Sequence, residues 1–379
     1  MKTIDIRSIS IENNTVIAKL LFDDVEETIT TTISEEYIKD VVTDRIDAYV
    51  WGLLHFAMNY GADIVSELPI SDELYYNLTY HYIPTVTAAR ENLKEISIKA
   101  PTIKTLESTC EIIGTGISCG VDSLYTIKKH ASSEVPESHK INTLAFFNVG
   151  SSMKGGNELR TPLVQGRLEL AENFAKEYNF KFLFIESDIH LVINRYIGYD
   201  HVQNHTMMML FCTYHLQSII GKYYYSSGYS YLEFHYGLGP TSYDLFNFWN
   251  ASIGKIKFFS TGAETNRLEK TRELIDYEPA HKYLNVCVEG VENDSTCFKC
   301  VRTMLTLDGL KALDKFNHVF NVEHYNNNRF FYLKELYTGV KFKNDGYMKE
   351  IYPLFKDEFT LRLKTRIFLR IIKNRIGIK

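Results

Sequence analysis

The heptapeptide ISCGVDS at 117–123 combines residue types that can bind an anion. Gly120 allows backbone conformations closed to other residues, and the N–H groups of such a turn and of a following helix start attract negative charge. Ser118 and Ser123 add hydroxyl donors, while Asp122 beside a phosphate requires a Mg²⁺ ion or another donor to offset its charge. The pattern predicts a site for a phosphate ligand with a metal, most commonly a nucleotide. The alternative is a plain strand–turn–helix junction.

Three of the six cysteines fall within CVEGVENDSTCFKCVR at 287–302. Two residues separate Cys297 from Cys300, so both thiolates can reach one ion, and Cys287 precedes them with spacing C-x9-C. Soft thiolate ligands at this spacing predict a tetrahedral Zn²⁺ site. A redox pair and three buried thiols are the alternatives. Three residues remain open as the fourth ligand: His281, Asp294 and Cys212.

From about residue 108 onward, apolar strand-like runs alternate with amphipathic helical segments. The strand candidates include CEIIGTGI, INTLAFFNV and KFLFIES, and the helix candidates include DSLYTIKKHA and TPLVQGRLELAENFAKEY. This alternation predicts an α/β fold with a parallel sheet and helices on both faces. Ligands of such sheets bind beyond the carboxyl ends of the strands, which is where ISCGVDS is expected.

The first hundred residues have a different pattern, because alternating β-rich runs separated by Asn13-Asn14 precede two helical segments. We predict a small α+β domain over 1–105, a nucleotide-binding domain with the cysteine cluster over 106–325, and a helical extension over 326–379. The extension ends in LRLKTRIFLRIIKNRIGIK. This basic amphipathic segment either lies on an anionic surface or packs on the protein with its charges solvated, and we favour the latter.

The composition is that of a globular protein. The chain has 379 residues, 45% of them hydrophobic and 23% charged, and a net charge of −5 that gives no argument for a nucleic-acid partner. No apolar leader segment precedes the first β-rich run, and no stretch of about 18 apolar residues occurs. We therefore expect a cytoplasmic protein without a signal peptide or a membrane span.

The loop S-C-G-V-D-S closely resembles the S-G-G-x-D-S signature of the PP-loop ATP pyrophosphatases, with Cys119 in place of the first glycine. Together with the late C…CFKCVR, it makes residues 108–315 look like the 7-cyano-7-deazaguanine synthase branch. That branch has four cysteines, whereas this segment has three. The resemblance implies a PP-loop (HUP-like) fold, ATP and Mg²⁺ as cofactors, structural Zn²⁺ and AMP-forming C–N ligase activity.

The resemblance also assigns residues to roles. Four are assigned to catalysis: Ser118, Asp122, Ser123 and Lys270. The loop residues Cys119, Gly120 and Val121 are assigned to ATP binding together with these serines and the aspartate. Four further residues are assigned to the adenosine, the substrate-facing turn and the phosphates: Asn148, Ser227, Gly228 and Arg272. Arg267 is a rival of Arg272. His201 and His205, four apart on one helix, either face the ligand or lie on the surface.

The implied reaction activates a carboxylate or amide oxygen with AMP for attack by a nitrogen nucleophile, in a bacterial defence or specialised modification pathway. Its substrate would be a small molecule of the deazapurine class. A protein acceptor and a homodimer are left open. The first alternative is a PP-loop sugar amidotransferase or thiolating enzyme of a polysaccharide or tRNA pathway. The second is a catalytically silent nucleotide-binding module.

Overall fold

The computed structural model describes residues 2–151, 159–237 and 239–375. The described strands are, in chain order: β1 Lys2–Glu12, β2 Thr15–Phe22, β3 Val25–Ile33, β4 Ala62–Ser66, β5 Ile70–Ser71, β6 Ile98–Lys99, β7 Thr102–Ile103, β8 Ile112–Gly116, β9 Thr143–Asn148, β10 Lys181–Ser187, β11 Ile220–Ser226 and β12 Lys257–Thr261. The α-helices are: α1 Asp47–Tyr60, α2 Asp72–Asn77, α3 Ile83–Ala89, α4 Val121–Ala131, α5 Pro162–Glu177, α6 Ile189–Asn194, α7 His201–Tyr214, α8 Asp244–Ala251, α9 Arg267–Leu274, α10 Glu278–Tyr283, α11 Phe298–Gly309, α12 Val322–Asn327, α13 Arg329–Lys341, α14 Gly346–Ile351 and α15 Leu361–Arg375.

The chain divides into two compact units. The first contains the chain up to Ser118 together with Thr126–Glu264, and the second contains Cys119–Tyr125 together with the chain from Thr265 onward. The twelve strands belong to the first unit, and α9 to α15 belong to the second. The domain boundaries near 105 and 325 that we inferred from the sequence stay predictions.

The core of the first unit is one ten-stranded sheet in the order β12-β11-β8-β9-β10-β3-β2-β1-β4-β6. The five strands from β12 to β10 are mutually parallel, and β1, β4 and β6 also pair in parallel. Among the described strands, the antiparallel pairs are β1–β2, β2–β3 and β3–β10. The predicted α/β class with a mostly parallel central sheet is therefore confirmed, and it is compatible with a Rossmann-like nucleotide-binding fold.

The hairpins of the first hundred residues continue this same sheet. The predicted turn joins β1 to β2, with Asn13 in the left-handed region at φ 55°, and β3 pairs with β10 through Ile33 and Ile185. Because β3 covers the edge of β10, the parallel strands have no exposed edge on this side. The segment 1–105 thus adds β1, β2, β3, β4 and β6 to the central sheet.

Helix α1 packs closely against α6 and α7 within the first unit. A Cβ atom on Gly52 would lie 2.7 Å from Ile189 Cδ1 and 2.8 Å from Phe211 Cδ2, so only glycine allows this approach. The helix ends at Gly61, which adopts φ 75° as its C-cap. The close approach fixes where the C-terminal half of α7 lies relative to α1.

The second unit is helical around a core that includes Leu305, Phe316, Tyr325, Tyr332 and Leu336. Among the described residues of the chain, no helix combines the length and the apolar character needed to cross a membrane.

Candidate functional site

The heptapeptide forms the predicted tight turn before a helix. β8 ends at Gly116 and α4 begins at Val121. Cys119 adopts the left-handed conformation at φ 55°, which a glycine would adopt at lower cost. The Gly120 carbonyl accepts hydrogen bonds from Ser123 Oγ (3.1 Å) and from Leu124 N (3.0 Å). The strained residue and the helix start are therefore adjacent, as in loops that bind anions.

Burial determines the chemistry of Cys119. Its side chain is 1% exposed, and burial raises the pKa of its thiol to about 12. The thiol therefore stays protonated at neutral pH and is a weak nucleophile.

Asp122 is held by two cations of α9, all within the second unit. Arg267 Nη2 forms an ion pair with Asp122 Oδ2, and Lys270 Nζ lies 3.1 Å from Asp122 Oδ1. The Lys270 side chain is 3% exposed and that of Asp122 is 20% exposed. Asn266 caps the start of α9 by accepting a hydrogen bond from Glu269 N. The cap and the helix thus place both cations on the first turn of α4.

Arg302 adds a third cation to this cluster. It is 8% exposed, and its guanidinium lies 4.2 Å from the centre of the Tyr347 ring. Burial, and then the charge of Arg267, lower the pKa of Arg302 to about 10, while Asp122 acts in the opposite direction. Nε of Arg267 and Nε of Arg302 are buried without a hydrogen-bond acceptor among the described residues. We call Asp122, Arg267, Lys270 and Arg302 the basic cluster.

The two rival arginines of α9 have different environments. Arg272 pairs with Glu269 at 3.0 Å, and both side chains are about half exposed, whereas Arg267 contacts Asp122. The predicted role of Arg272 stays a prediction, but Arg267 is the arginine that the fold brings to the loop.

Asn148, at the end of β9 in the first unit, lies beside an acidic residue. Its Nδ2 donates to Glu186 Oε2 (2.7 Å) and to the Leu159 carbonyl (2.8 Å), and Arg160 Nε donates to Glu186 Oε1 at 2.9 Å. The polar group at this strand end is therefore a network of Asn148, Glu186 and Arg160. Its predicted contact with adenosine stays a prediction.

The turn after β11 is also organised by a carboxylate. Ser227 Oγ, 1% exposed by residue, donates to the Tyr229 carbonyl (3.0 Å) and to Asp244 Oδ2 (3.2 Å), and Ser260 Oγ donates to the same oxygen at 3.3 Å. A Cβ atom on Gly228 would meet no neighbour within 4 Å. The turn therefore has open space at Gly228 and a buried network at Ser227.

His201 and His205 are half-buried rather than exposed. His201 Nδ1 lies 2.9 Å from the Tyr199 hydroxyl, and His205 Nδ1 lies 2.5 Å from the Tyr225 hydroxyl. Burial lowers the pKa of His201 to about 4 and that of His205 to about 3. Both imidazoles are therefore neutral at pH 7.

The cysteine cluster gathers in the second unit. Ligand atoms of Cys287, Asp294, Cys297 and Cys300 all lie within 4.8 Å of one another. Sulfur atoms around a tetrahedral zinc ion are about 3.8 Å apart, because each Zn–S bond is about 2.3 Å. The four side chains thus fit one metal ion. Of the three candidates for a fourth ligand, Asp294 is the one in this group; His281 Nε2 instead contacts the Ile275 carbonyl (2.8 Å), and Cys212 lies in α7.

Backbone hydrogen bonds prepare the cluster for a cation. Burial raises the pKa of Asp294, but N–H groups of Cys297 and Thr296 more than offset this and lower it. Burial likewise raises the pKa of Cys287, and backbone N–H groups bring it below the usual value. Cys297 Sγ accepts a hydrogen bond from Cys300 N as the N-cap of α11, so the sulfur lies at the positive end of the helix dipole. Burial, and then Cys297, raise the pKa of Cys300.

Asn293 holds the cysteine loop in shape. Its Oδ1 accepts from Val286 N (2.9 Å) and Cys287 N (3.1 Å), and its Nδ2 donates to the carbonyls of Leu284 (2.8 Å) and Val319 (2.9 Å). One amide side chain therefore satisfies four backbone groups beside the cluster.

The sequence analysis missed several of these residues: Arg160, Glu186, Asp244, Asn293 and Tyr347. Four of them act through partners distant in sequence, so no local motif could have identified them. Asn293 is the exception, because it lies between the cysteines and accepts hydrogen bonds from the nearby Val286 N and Cys287 N. Comparison of the chain with protein-family models, with curated proteins and with solved structures found no match. The predicted resemblance to the PP-loop group therefore stays a prediction.

Proposed function

We propose that the protein is an ATP-dependent adenylating ligase of the PP-loop type. It would activate a carboxylate or amide oxygen with AMP for attack by a nitrogen nucleophile. The observation that carries this proposal is the basic cluster, in which two guanidinium Nε donors are buried without acceptors beside Lys270 and Asp122. Buried donors without partners are costly, and an oxyanion is the ligand that would satisfy them.

The loop supports the same ligand. The first turn of α4 presents its N-terminal N–H groups directly after the left-handed Cys119, and such a turn favours phosphate oxygens. The cavity behind Arg267 and Arg302 has a volume of about 10 Å³, which is room for no more than a water molecule. The phosphates would therefore contact the cluster from the side of Asp122 and displace its ion pairs.

In this mechanism a substrate oxygen attacks the α-phosphate of ATP, and the bond from that phosphorus to the bridging oxygen breaks. Pyrophosphate leaves with the electron pair. The nitrogen nucleophile then attacks the activated carbon, AMP leaves, and the nitrogen loses a proton. Lys270, Arg267 and Arg302 would stabilise the negative charge on the departing pyrophosphate. Mg²⁺ held by Asp122 would supply further charge neutralisation.

Zinc would be structural in this proposal. Cys287, Cys297, Cys300 and Asp294 would fill four positions of a tetrahedral site, and a closed site leaves none for substrate. The site would fix the start of α11, which carries Arg302. Zinc binding thereby supports the basic cluster through one helix.

The thiolating alternative is less well supported. A persulfide carrier needs an accessible thiolate, whereas Cys119 is buried and its pKa is raised. The silent binding module differs from the ligase only in turnover, so an assay of turnover separates the two.

The test is AMP release from ATP by the purified protein, with 7-carboxy-7-deazaguanine as acceptor and ammonia as nitrogen donor, and pyrophosphate–ATP exchange as a second readout. Arg267→Gln should lower turnover roughly a hundredfold, because it removes a charge-stabilising donor. Arg272→Gln on the same helix tests the rival assignment, and it should retain activity if Arg267 is the phosphate ligand, because Arg272 pairs with Glu269. ATP binding without AMP formation would favour the silent module, and neither binding nor turnover would refute the proposal.

A further inference from the structure

A second polar cavity lies in the first unit, among α1, the residues after α3, and the segment that joins α6 to α7. Its volume is about 180 Å³. That is slightly more than the roughly 150 Å³ of a protein cavity known to admit a benzene molecule. The proposed adenylation does not use this cavity.

Arg90 is the cation in the cavity wall. It is 7% exposed, and its Nη2 donates to Asn92 Oδ1 at 3.2 Å. Nη1 is buried and makes no hydrogen bond of normal geometry, and no carboxylate in the part of the chain that the structure describes forms an ion pair with Arg90. Burial raises the pKa of the Tyr82 and Tyr243 phenols, so both remain neutral. The charge of Arg90 and a side-chain contact with the Tyr243 hydroxyl act in the opposite direction on the pKa of Tyr243, and the charge of Arg90 also acts on Tyr82.

A buried guanidinium without a counter-ion is unfavourable, because desolvation of the charge is not offset by an opposite charge. A protein retains such a group where a ligand supplies the missing anion. The one carboxylate of the wall, Asp200, is exposed and caps α7 by accepting a hydrogen bond from Val202 N at 2.9 Å. It therefore has a structural role of its own.

The remaining wall is built from neutral hydrogen-bonding groups. His55 Nδ1 lies 2.8 Å from Asn204 Oδ1, and His55 Nε2 lies 3.2 Å from Asn59 Nδ2. An amide oxygen only accepts and an amide nitrogen only donates, so this pairing places the proton of His55 on Nδ1. Burial, and to a smaller extent the charge of Arg90, lower the pKa of His55 to about 4. The imidazole is thus neutral, and Gln203 adds a further carboxamide.

We propose that this cavity binds a small organic carboxylate, with Arg90 as its counter-ion and the carboxamides of the wall as partners for its other polar groups. A single guanidinium matches one negative charge and presents two parallel donors to a carboxylate. The wall contains one cation and no lysine, whereas a phosphate dianion needs more positive charge. The cavity volume limits the ligand to a small metabolite.

Gly198 provides a way to block the cavity without removing its charge. It lines the wall, and a Cβ atom added to it would meet nothing within 4 Å. Because Gly198 is exposed where it lines the wall, a leucine there would lie at the mouth of the cavity and narrow it. Gly346 in the second unit is a matched control, because an added Cβ there also meets nothing.

The test is calorimetric titration of the full-length protein with acetate, lactate, alanine, glutamine, succinate and citrate, with inorganic phosphate and sulfate for comparison. At least one carboxylate should bind saturably at millimolar concentration. Arg90→Gln should weaken that binding roughly ten- to a hundredfold, because a charge-assisted pair is lost. Gly198→Leu should weaken it similarly while the charge remains, whereas Gly346→Leu and the surface substitution Arg7→Gln should not change it.

Three results would overturn the proposal: no saturable binding of any of these carboxylates, binding that persists in both Arg90→Gln and Gly198→Leu, or binding of phosphate in preference to every carboxylate. If Arg90→Gln does not fold, Gly198→Leu decides alone, since it leaves Arg90 in place. None of these variants touches the basic cluster, so failure here is distinct from failure of the proposed adenylation.

Discussion

Replacement of Asp122 by asparagine tests whether the carboxylate of Asp122 stabilises the cations of the basic cluster until an anion binds them. The change keeps the shape of the side chain and removes the charge that pairs with Lys270 Nζ at 3.1 Å. Breaking a buried ion pair from one side costs about 3–5 kcal/mol. Because the Asp122 side chain is 20% exposed, solvent screens part of this, and we expect the free energy of unfolding to fall by about 2–3 kcal/mol.

The partner substitution completes a double-mutant cycle. Lys270→Met leaves Asp122 paired with Arg267, so it should cost less than Asp122→Asn. The double variant should be more stable than the sum of the single changes predicts, with a coupling of about 1–2 kcal/mol. Urea unfolding at pH 7.5 measures the free energy of unfolding of the wild type, the two single variants and the double variant. Asp276→Asn is the control, because Asp276 pairs with Lys315 at the surface of the same unit and should cost less than about 1 kcal/mol.

The same variant makes a prediction about ligand binding. In the absence of Mg²⁺, Asp122 competes with a phosphate for Arg267 and Lys270, so Asp122→Asn should bind inorganic pyrophosphate more tightly than the wild type. With Mg²⁺ present the order should reverse, because the carboxylate that holds the metal is missing. Additive effects in the cycle, or pyrophosphate binding that is unaffected by the substitution under both conditions, would refute the reasoning.

Three further predictions concern other parts of the chain. Burial lowers the pKa values of three buried histidines to about 4: His55, His190 and His215. Their pKa in the unfolded chain is about 6.5, so the unfolded state binds protons first as the pH falls; the stability present above pH 6.5 is lost toward pH 4. At pH 5.5 each histidine should cost about 1.4 kcal/mol relative to pH 7.5, or about 4 kcal/mol together, and equal urea unfolding at both pH values would contradict this. Elemental analysis should find one zinc ion per chain, and Cys300→Ser should lose it. The control Cys110→Ser should keep the zinc, because Cys110 lies outside the cluster. An equal metal content in both variants would exclude the site. Cys119→Gly should be more stable to heat than Cys119→Ala by about 0.5–1 kcal/mol, because alanine retains the cost of φ 55°, and the reverse order would show that the loop relaxes.

The parallel strands were predictable because each is a nearly continuous apolar run, as expected for a strand buried on both faces. INTLAFFNV contains β9, and KFLFIES is β10. The continuation of the sheet through β3 was not predictable. ETITTTI alternates as an antiparallel strand does, but nothing in its sequence specifies that its partner is β10, about 150 residues later.

Half of the candidate site followed from spacing and half did not. The loop and the three cysteines were found because their members are close in sequence. Arg267 reaches Asp122 across 145 residues of sequence, and Arg302 joins them through the packing of α11 on α9. Asp294 was one of three candidates for the fourth ligand, and only its distance from the thiols separates it from His281.

The free-energy cost of burying the charged guanidinium of Arg302 connects the stability of the second unit to the proposed function. Lowering the pKa of this guanidinium to about 10 means that keeping it charged at pH 7 costs about 3 kcal/mol relative to the unfolded chain. A bound oxyanion would recover part of this cost, so ATP or pyrophosphate should stabilise the protein beyond the effect of contacts to the loop alone. Arg302→Met should then raise the stability of the unliganded protein and reduce the stabilisation by pyrophosphate. Since Arg302 stacks on Tyr347, a methionine retains much of the apolar contact, and differential scanning calorimetry with and without pyrophosphate measures both effects. If the variant is less stable than the wild type without ligand, and pyrophosphate stabilises both proteins equally, Arg302 contributes packing and no anion binding.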